Sequence, residues 1–297
     1  FSFFIDQIGA DTVKQIKKIT FCGNDGDPIY CKDFLDICSW IKQVNPNIQL
    51  VLITNGSHKP KDWWEQLGKT FNANDEIHWS IDGWDQESNE QYRINSNWLS
   101  IMNGINAFNQ ANTSTYKVWD TIAFKFNEQH LIRQKIGAMA CGFDSYQLTK
   151  STKFSSKYPS YGEHDPLEPE DRQMMASGYR FERIIEALTP KQRPGNELKE
   201  IFLQRAENLG KYSGICLIGN KGVFLNSQGE FYPCCWTANR YEHNKDWQHR
   251  FNLNTRTFQD IINDPFWSTE FLEFNSLECR TKCTPDRLTD RQHTTEW

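Results

Sequence analysis

The sequence predicts an α/β fold organised around a parallel sheet, and three observations carry that prediction. Segments of strand and helix character alternate through residues 17–151, a pattern that implies parallel strands joined by right-handed helical crossovers. The segment "IQLVLITNG" (48–56) is a nearly unbroken apolar run, as expected of a strand buried on both faces. Each apolar strand segment also ends in small or polar residues: "GNDGDP", "TNGS", "SIDG" and "FNE". Chemistry collects at the C-terminal strand ends of both open doubly wound sheets and barrels. Periodicity leaves those two architectures open.

In order, "KKITFCG" (17–23) is a strand, and "DFLDICSWIKQV" (33–44) is a helix with Phe34, Ile37, Cys38 and Ile41 on one face. The strand "IQLVLITNG" follows, then a short helix in "WWEQLGKTF". Strand "EIHWSIDG" (76–83), helix "WLSIMNGINAFNQ" (98–110), strand "KVWDTIAFKFN" (117–127), helix "HLIRQKIGAMAC" (130–141) and strand "SYQLTKS" (145–151) complete the alternation. Five parallel strands are expected near 18–22, 49–53, 77–81, 118–124 and 145–149.

Residues 152–176 are polar, with three prolines and no clear period, and read as a linker. Two helices are expected next, "GYRFERIIEAL" (178–188) and "ELKEIFLQRAENL" (197–209). The rest divides into a hairpin over 217–236, an irregular polar loop, a helix over roughly 257–274 and a loop holding Cys279 and Cys283. The domain reading is therefore 1–151 for the α/β part, 152–213 for linker and bridging helices, and 214–297 for a small C-terminal domain.

The chain has 297 residues and a formal net charge of -5, with 38% hydrophobic and 14% aromatic residues. Its length suffices for one large domain with an appendage. No apolar run approaches the roughly 18 residues of a membrane helix. The mild acidity argues against a nucleic-acid surface built on phosphate contacts. The chain starts at Phe1 inside structured-looking sequence, so a fragment is expected.

Nine cysteines is an odd count, which argues against a full disulfide framework and for a cytoplasmic setting. Cys22, Cys31, Cys38 and Cys141 are scattered, whereas Cys216, Cys234, Cys235, Cys279 and Cys283 cluster in the last third. The stretch "LNSQGEFYPCCW" (225–236) reads as a hairpin turning at Ser227, Gln228 and Gly229. Cys216 and Cys234 bracket that hairpin, and "CRTKC" supplies Cys279 and Cys283. Four thiolates from two segments suit zinc or an iron–sulfur cluster. Zinc favours two short two-cysteine knuckles, and only one half here is a knuckle, so the bulkier cluster fits better. The plain alternative is four unrelated cysteines, two of them core fillers.

The spacing Cys216, twelve residues, Gly229, four residues, Cys234 resembles the opening of the auxiliary-cluster domain of radical S-adenosylmethionine (SAM) enzymes. It is closer to the short twitch version than to the longer SPASM domain. The first half is similar to the same superfamily over about 150 residues. "GNDGDP" stands where that family carries its Gly-Gly-Glu-Pro type loop, with Asp27 in place of Glu. The resemblance implies a partial (β/α)6 radical SAM barrel lacking its first strand, plus a small α+β twitch-type domain. It implies that Gly26, Asp27 and Pro28 hold the SAM amino group. It places Asn55 in "TNG", and Ser80 and Asp82 in "SIDG", at the next strand ends, the latter two toward the ribose or methionyl end. Arg93 would reach the SAM carboxylate, and Asn127 marks the fifth strand end. A four-iron, four-sulfur auxiliary cluster would sit on Cys216, Cys234, Cys279 and Cys283. Cys235 faces the other way on an extended strand, with Cys235 in place of Cys234 as the alternative.

One departure is large: the family's Cys-x3-Cys-x2-Cys loop is absent from residues 1–297. The expectation is that it lies upstream and that the fragment alone does not cleave SAM. Intact, such an enzyme would make a 5′-deoxyadenosyl radical and abstract hydrogen from a peptide, protein or small-molecule substrate. A second four-iron cluster and a reductant such as flavodoxin or ferredoxin would be needed. A non-catalytic iron–sulfur protein, or a zinc-binding module on a degenerate barrel, are the alternatives.

Overall fold

A computed structural model describes residues 2–23, 26–112, 114–151, 165–171, 181–185, 223–234, 237–238 and 245–273. It divides into two compact units, one of residues 10–190 and one of residues 2–9 with 191–297. The first unit thus reaches well past the expected boundary at 151. Part of the expected linker is bound into it: Lys125 N donates to Leu167 O, Asp171 N donates to Glu128, and Lys125 pairs with Glu170 at 2.6 Å.

Helix α1 (Ser2–Ile8) belongs to the second unit and α2 (Ala10–Gln15) to the first. The first unit continues with β1 (Lys18–Phe21), α3 (Phe34–Val44), β2 (Gln49–Thr54), α4 (Lys61–Thr70), β3 (Glu76–Ser80), α5 (Gln86–Glu90), α6 (Trp98–Ala111), β4 (Tyr116–Ala123), α7 (Leu131–Ala140), β5 (Ser145–Lys150) and β6 (Phe181–Ile185). β1 to β5 run parallel and lie in sequential order, and β6 joins the far side of β5 antiparallel. This order decides between the two architectures. Parallel strand–helix–strand connections are right-handed as a rule, and with every step in the same direction that rule puts the helices on one face of the sheet. That is barrel-type winding, without the reversal of strand order that defines a doubly wound sheet.

All five expected parallel strands are present, to within two residues at their ends. The expected helix over 178–188 is corrected: residues 181–185 form β6. Its partner is the free edge of β5, which no local pattern in "FERII" announces. β1 is the opposite edge strand, with β2 as its neighbour.

The helix-facing side of the sheet is held by an aromatic ladder. Trp79 of β3 meets Trp64 of α4, Phe108 of α6 and Phe143 at centroid distances of 5.5–5.6 Å, and Phe143 meets Trp119 of β4 at 5.4 Å. Gly104 of α6 makes room for this, because a Cβ there would lie 2.5 Å from Trp64 Nε1. At the N-terminal strand ends, Asp75 ties three elements together. It accepts from Lys42 Nζ, Leu50 N and Asn72 N at 2.6–2.8 Å. Asn112 does similar work there through Gly68 O and Phe71 O.

In the second unit, β7 (Phe224–Leu225) and β8 (Phe231–Tyr232) form the expected hairpin. Gly229 sits at φ +78°, the left-handed conformation that this turn requires. The hairpin is braced by the 251–254 segment: Phe231 N donates to Phe251 O, and Leu253 N to Gly229 O. The polar stretch after it is corrected in part, since α8 (Lys245–Arg250) forms there and stacks Trp247 on Tyr232. The expected helix over 257–274 is also corrected. α9 (Phe258–Ile262) ends at Asn263, and two 3-10 segments, Pro265–Ser268 and Glu270–Glu273, follow. Pro265 cannot continue the helix, and Asp264 caps the next segment by accepting from Phe266 N. Asp264 also binds Arg250 and Arg256 at 2.9 and 2.7 Å. Among the described residues, no helix is long and apolar enough to cross a membrane.

Candidate functional site

The C-terminal ends of β1 to β4 bring most of the expected residues of the first unit to one rim. Asp27, in the loop after β1, accepts from Asn55 N at 2.6 Å and from Ile29 N at 3.2 Å. It thereby caps the 3-10 turn Pro28–Tyr30 and ties the β1 loop to the β2 loop. Burial raises the Asp27 carboxyl, against hydrogen bonds from Asn55, Thr54 and Ile29 and the nearby Arg93 charge, which lower it. Arg93, from the segment after β3, is therefore close enough to act on the β1 rim. Gly26 is exposed beside Asp27. The Asn55 side chain accepts from Ser57 N.

Asp82 and Asn127 occupy the same rim but face inward. Asp82 is fully buried, and both its oxygens are engaged: Oδ1 accepts from Ile122 N and Oδ2 from Arg93 Nε, each at 2.6 Å. Burial raises its carboxyl, while Arg93 pulls it down. Asn127, also fully buried, donates to Asp82 O and Ile122 O and accepts from Phe124 N. Gln134 Nε2 donates to Asp82 O, and Tyr146 donates to Gln134. These two predicted residues are struts joining β3 to β4, and Asp82 also fixes Arg93. Ser80, at the end of β3, is half-buried, and its hydroxyl has no hydrogen-bond partner among the described residues. Arg93 keeps its two terminal nitrogens without a partner among the described residues and lies over the Tyr92 ring.

The sequence reading missed a second cluster, on the sheet face opposite the aromatic ladder. His78 donates from Nδ1 to Asp120 Oδ2 at 2.6 Å and from Nε2 to Glu76 Oε1 at 2.8 Å. Burial alone would lower the imidazolium, but the two carboxylates outweigh it and raise it to about 10. A signal was available, since Glu76 and His78 sit at period two in an otherwise apolar strand.

Of the four expected thiolate ligands, Cys234 lies among the described residues, and Cys216, Cys279 and Cys283 lie outside them, as does Cys235. Cys234 follows β8, half-buried, with Sγ 3.2 Å from Thr237 Oγ1. The β7–β8 pairing and the Gly229 turn place it at the open end of the hairpin. Cys22, Cys31, Cys38 and Cys141 all lie in the first unit, and Cys38 is fully buried. Among the described residues no three His, Cys, Asp or Glu side chains gather in a metal-binding arrangement.

Residues 216–284 match the SPASM family, an iron–sulfur cluster-binding domain. The C-terminal part of the chain is thus a SPASM-type domain, joined in one chain to a sequentially wound parallel α/β sheet. The matched region begins at Cys216 and ends one residue past Cys283. No curated protein matches the sequence. Among solved structures the chain is similar to TYW1 with a lysine-pyruvate adduct bound, at 11% identity and a TM-score of 0.35, covering 46% of this chain and 42% of that one. It is similar to anSMEcpe with bound AdoMet and the Cp18Cys peptide, at 14% identity and 0.46, covering 92% and 75%. A third likeness is to anSMEcpe with bound AdoMet, at 13% and 0.47, covering 88% and 70%. At such identities, and with TM-scores below 0.5, these likenesses bear on neither the site nor the chemistry.

Proposed function

We propose that this chain is part of a radical SAM enzyme whose C-terminal domain, of the short twitch type, carries an auxiliary four-iron, four-sulfur cluster on Cys216, Cys234, Cys279 and Cys283. The observation that carries the reading is the SPASM match, which opens and closes on those cysteines, downstream of a barrel-type sheet with a polar C-terminal rim. Thiols are the donors such clusters require. Four of them leave no iron open, which suits electron transfer over direct substrate binding.

The rim residues fit the amino-acid end of SAM. Asp27 offers a carboxylate to the ammonium, and the Arg93 terminal nitrogens and the Ser80 hydroxyl offer donors to the carboxylate. Asp82 and Asn127 would hold Arg93 and the β3–β4 ends in place, with Gly26, Pro28 and Asn55 shaping the loop around Asp27. When SAM is bound beside a reduced cluster, the pair supplies a 5′-deoxyadenosyl radical that removes hydrogen from substrate. Residues 1–297 hold no Cys-x3-Cys-x2-Cys loop, so the proposal for them alone is SAM binding without cleavage. A second cluster and a flavodoxin- or ferredoxin-like reductant would complete the chemistry on a peptide, protein or small-molecule substrate in the cytoplasm.

Anaerobic reconstitution of residues 1–297 with iron and sulfide tests this reading. About four irons per chain and a visible charge-transfer band are expected, both lost in Cys216→Ala and Cys279→Ala. A colourless protein holding one zinc would refute the cluster. Eight irons, or 5′-deoxyadenosine formed by this chain, would refute the single-cluster reading.

A further inference from the structure

Gln147 of β5 is 6% exposed, and its side-chain nitrogen is buried with no hydrogen-bond partner among the described residues. An orphaned buried amide costs about 1–3 kcal/mol and is uncommon in a native interior. The register explains where it lies. Ser80 of β3 pairs with Asp120 of β4, and Asp120 pairs with Gln147 of β5. In parallel strands registered neighbours project from the same face, so the three side chains form a row with roughly 4.8 Å between strands. Trp79 and Trp119 point to the helices, so this row stands on the other face, at the C-terminal end where Ser80 meets the rim.

Asp120 is built to accept. One oxygen is held at 2.6 Å by His78, which Glu76 anchors from behind. The other oxygen has no partner among the described residues, and the Asp120 side chain is 23% exposed. A fixed acceptor therefore stands at the same register position as an unused donor on the next strand.

We infer that Asp120 and Gln147 form a subsite that binds an amide edge, one N–H donor beside one carbonyl acceptor. Asp120 accepts the N–H, and the Gln147 amide donates to the carbonyl. Primary carboxamides present this edge, as do extended peptide residues, whose N–H and C=O point the same way. Carboxylates are refused, because they carry no donor for the Asp120 oxygen. His78 and Glu76 are positioning residues. This deepens the reading above by placing a substrate group beside the SAM end of the barrel, and it rests on that reading only for calling the ligand a substrate.

The test uses the full chain, 15N-labelled, without SAM or reductant, titrated with three probes while the Gln147 side-chain amide and the backbone amides of Asp120 and Leu148 are followed by NMR. Acetamide has its N–H and carbonyl on one edge, N-methylacetamide has them opposed, and acetate has no donor. Saturable shifts with acetamide are expected, with about tenfold weaker response to the other two, the worth of one hydrogen bond. In Gln147→Leu the backbone amides of Asp120 and Leu148 remain as reporters, and their response to acetamide should be lost while the unfolding temperature stays level or rises, since an orphan amide is replaced by an apolar group of similar size. Gln147→Met serves should the Leu variant not fold. Equal responses to all three probes, no response, or a marked loss of stability in both variants would overturn the subsite. Loss of iron or SAM binding is measured separately and leaves this result standing.

Discussion

Asp82→Asn separates a strut from a ligand. The native carboxylate accepts two short bonds, from the Ile122 amide and from Arg93 Nε, inside a fully buried position. Asparagine keeps the shape but has one acceptor where two donors converge, so one of its N–H groups must face a donor. The loss is a charge-assisted bond worth about 1.5–3 kcal/mol, or a buried amide left unpaired at about 1–3 kcal/mol. Arg93 retains some water access, which limits the penalty of stranding its charge. A net cost of about 2–4 kcal/mol follows, and at about 2–4 °C per kcal/mol for a unit of this size the midpoint should fall by roughly 5–15 °C. Thermal unfolding followed by circular dichroism reads this directly. Ser80→Ala is the control: an unpartnered hydroxyl should change stability by less than about 0.5 kcal/mol while weakening SAM binding in equilibrium dialysis. If Asp82→Asn leaves the midpoint within about 2 °C of wild type, the strut assignment is wrong.

Three further outcomes are expected. His78 is raised from 6.5 to about 10, so its contribution to stability is complete below pH 6.5 and disappears as pH rises through about 10; the wild-type midpoint should fall between pH 7 and pH 10.5 more steeply than that of His78→Gln, and parallel curves would contradict the triad. Gly104→Ala places a Cβ 2.5 Å from Trp64 Nε1, so despite better helix propensity it should destabilise by about 1–3 kcal/mol, and a stabilised variant in denaturant titration would rule out that packing. Gly229→Ala forces a side chain into φ +78° at about 1–2 kcal/mol, so the Phe231 and Leu253 amides should exchange about 5–30 times faster with deuterium; unchanged protection would mean the turn tolerates a side chain.

Which parts of this structure the sequence announced follows from how far each cause reaches along the chain. The five parallel strands were legible because a strand buried on both faces writes its burial into consecutive residues, as in 49–54. β6 was not, because its reason for being extended is the open edge of β5, more than 30 residues away. The break at Pro265 was written plainly, an Asn-Asp-Pro stretch inside an apolar pattern, and apolar periodicity outweighed it in the reading. Among rim residues the sequence marked the type of side chain but not its engagement. Asp82 and Ser80 stand two positions apart in "SIDG", yet one has both carboxylate oxygens spent and the other a hydroxyl with no partner among the described residues. The difference lies in Ile122 and Arg93, which come from elsewhere.

The same logic run backwards points to the inner face of the sheet. Glu76 and His78 alternate with Ile77 and Trp79, and Asp120 alternates with Trp119 and Thr121. A strand that needs both faces buried gains nothing from charged residues at every second position unless those charges neutralise one another or meet a ligand. Both ring nitrogens of His78 are taken up, by Glu76 and by one oxygen of Asp120. The second Asp120 oxygen and the Gln147 amide nitrogen have no partner among the described residues, and the two residues are neighbours in register. Polar residues at period two inside a parallel strand therefore mark the wall of a binding site more directly than the rim motifs do, because the rim spends much of its polarity on holding loops together.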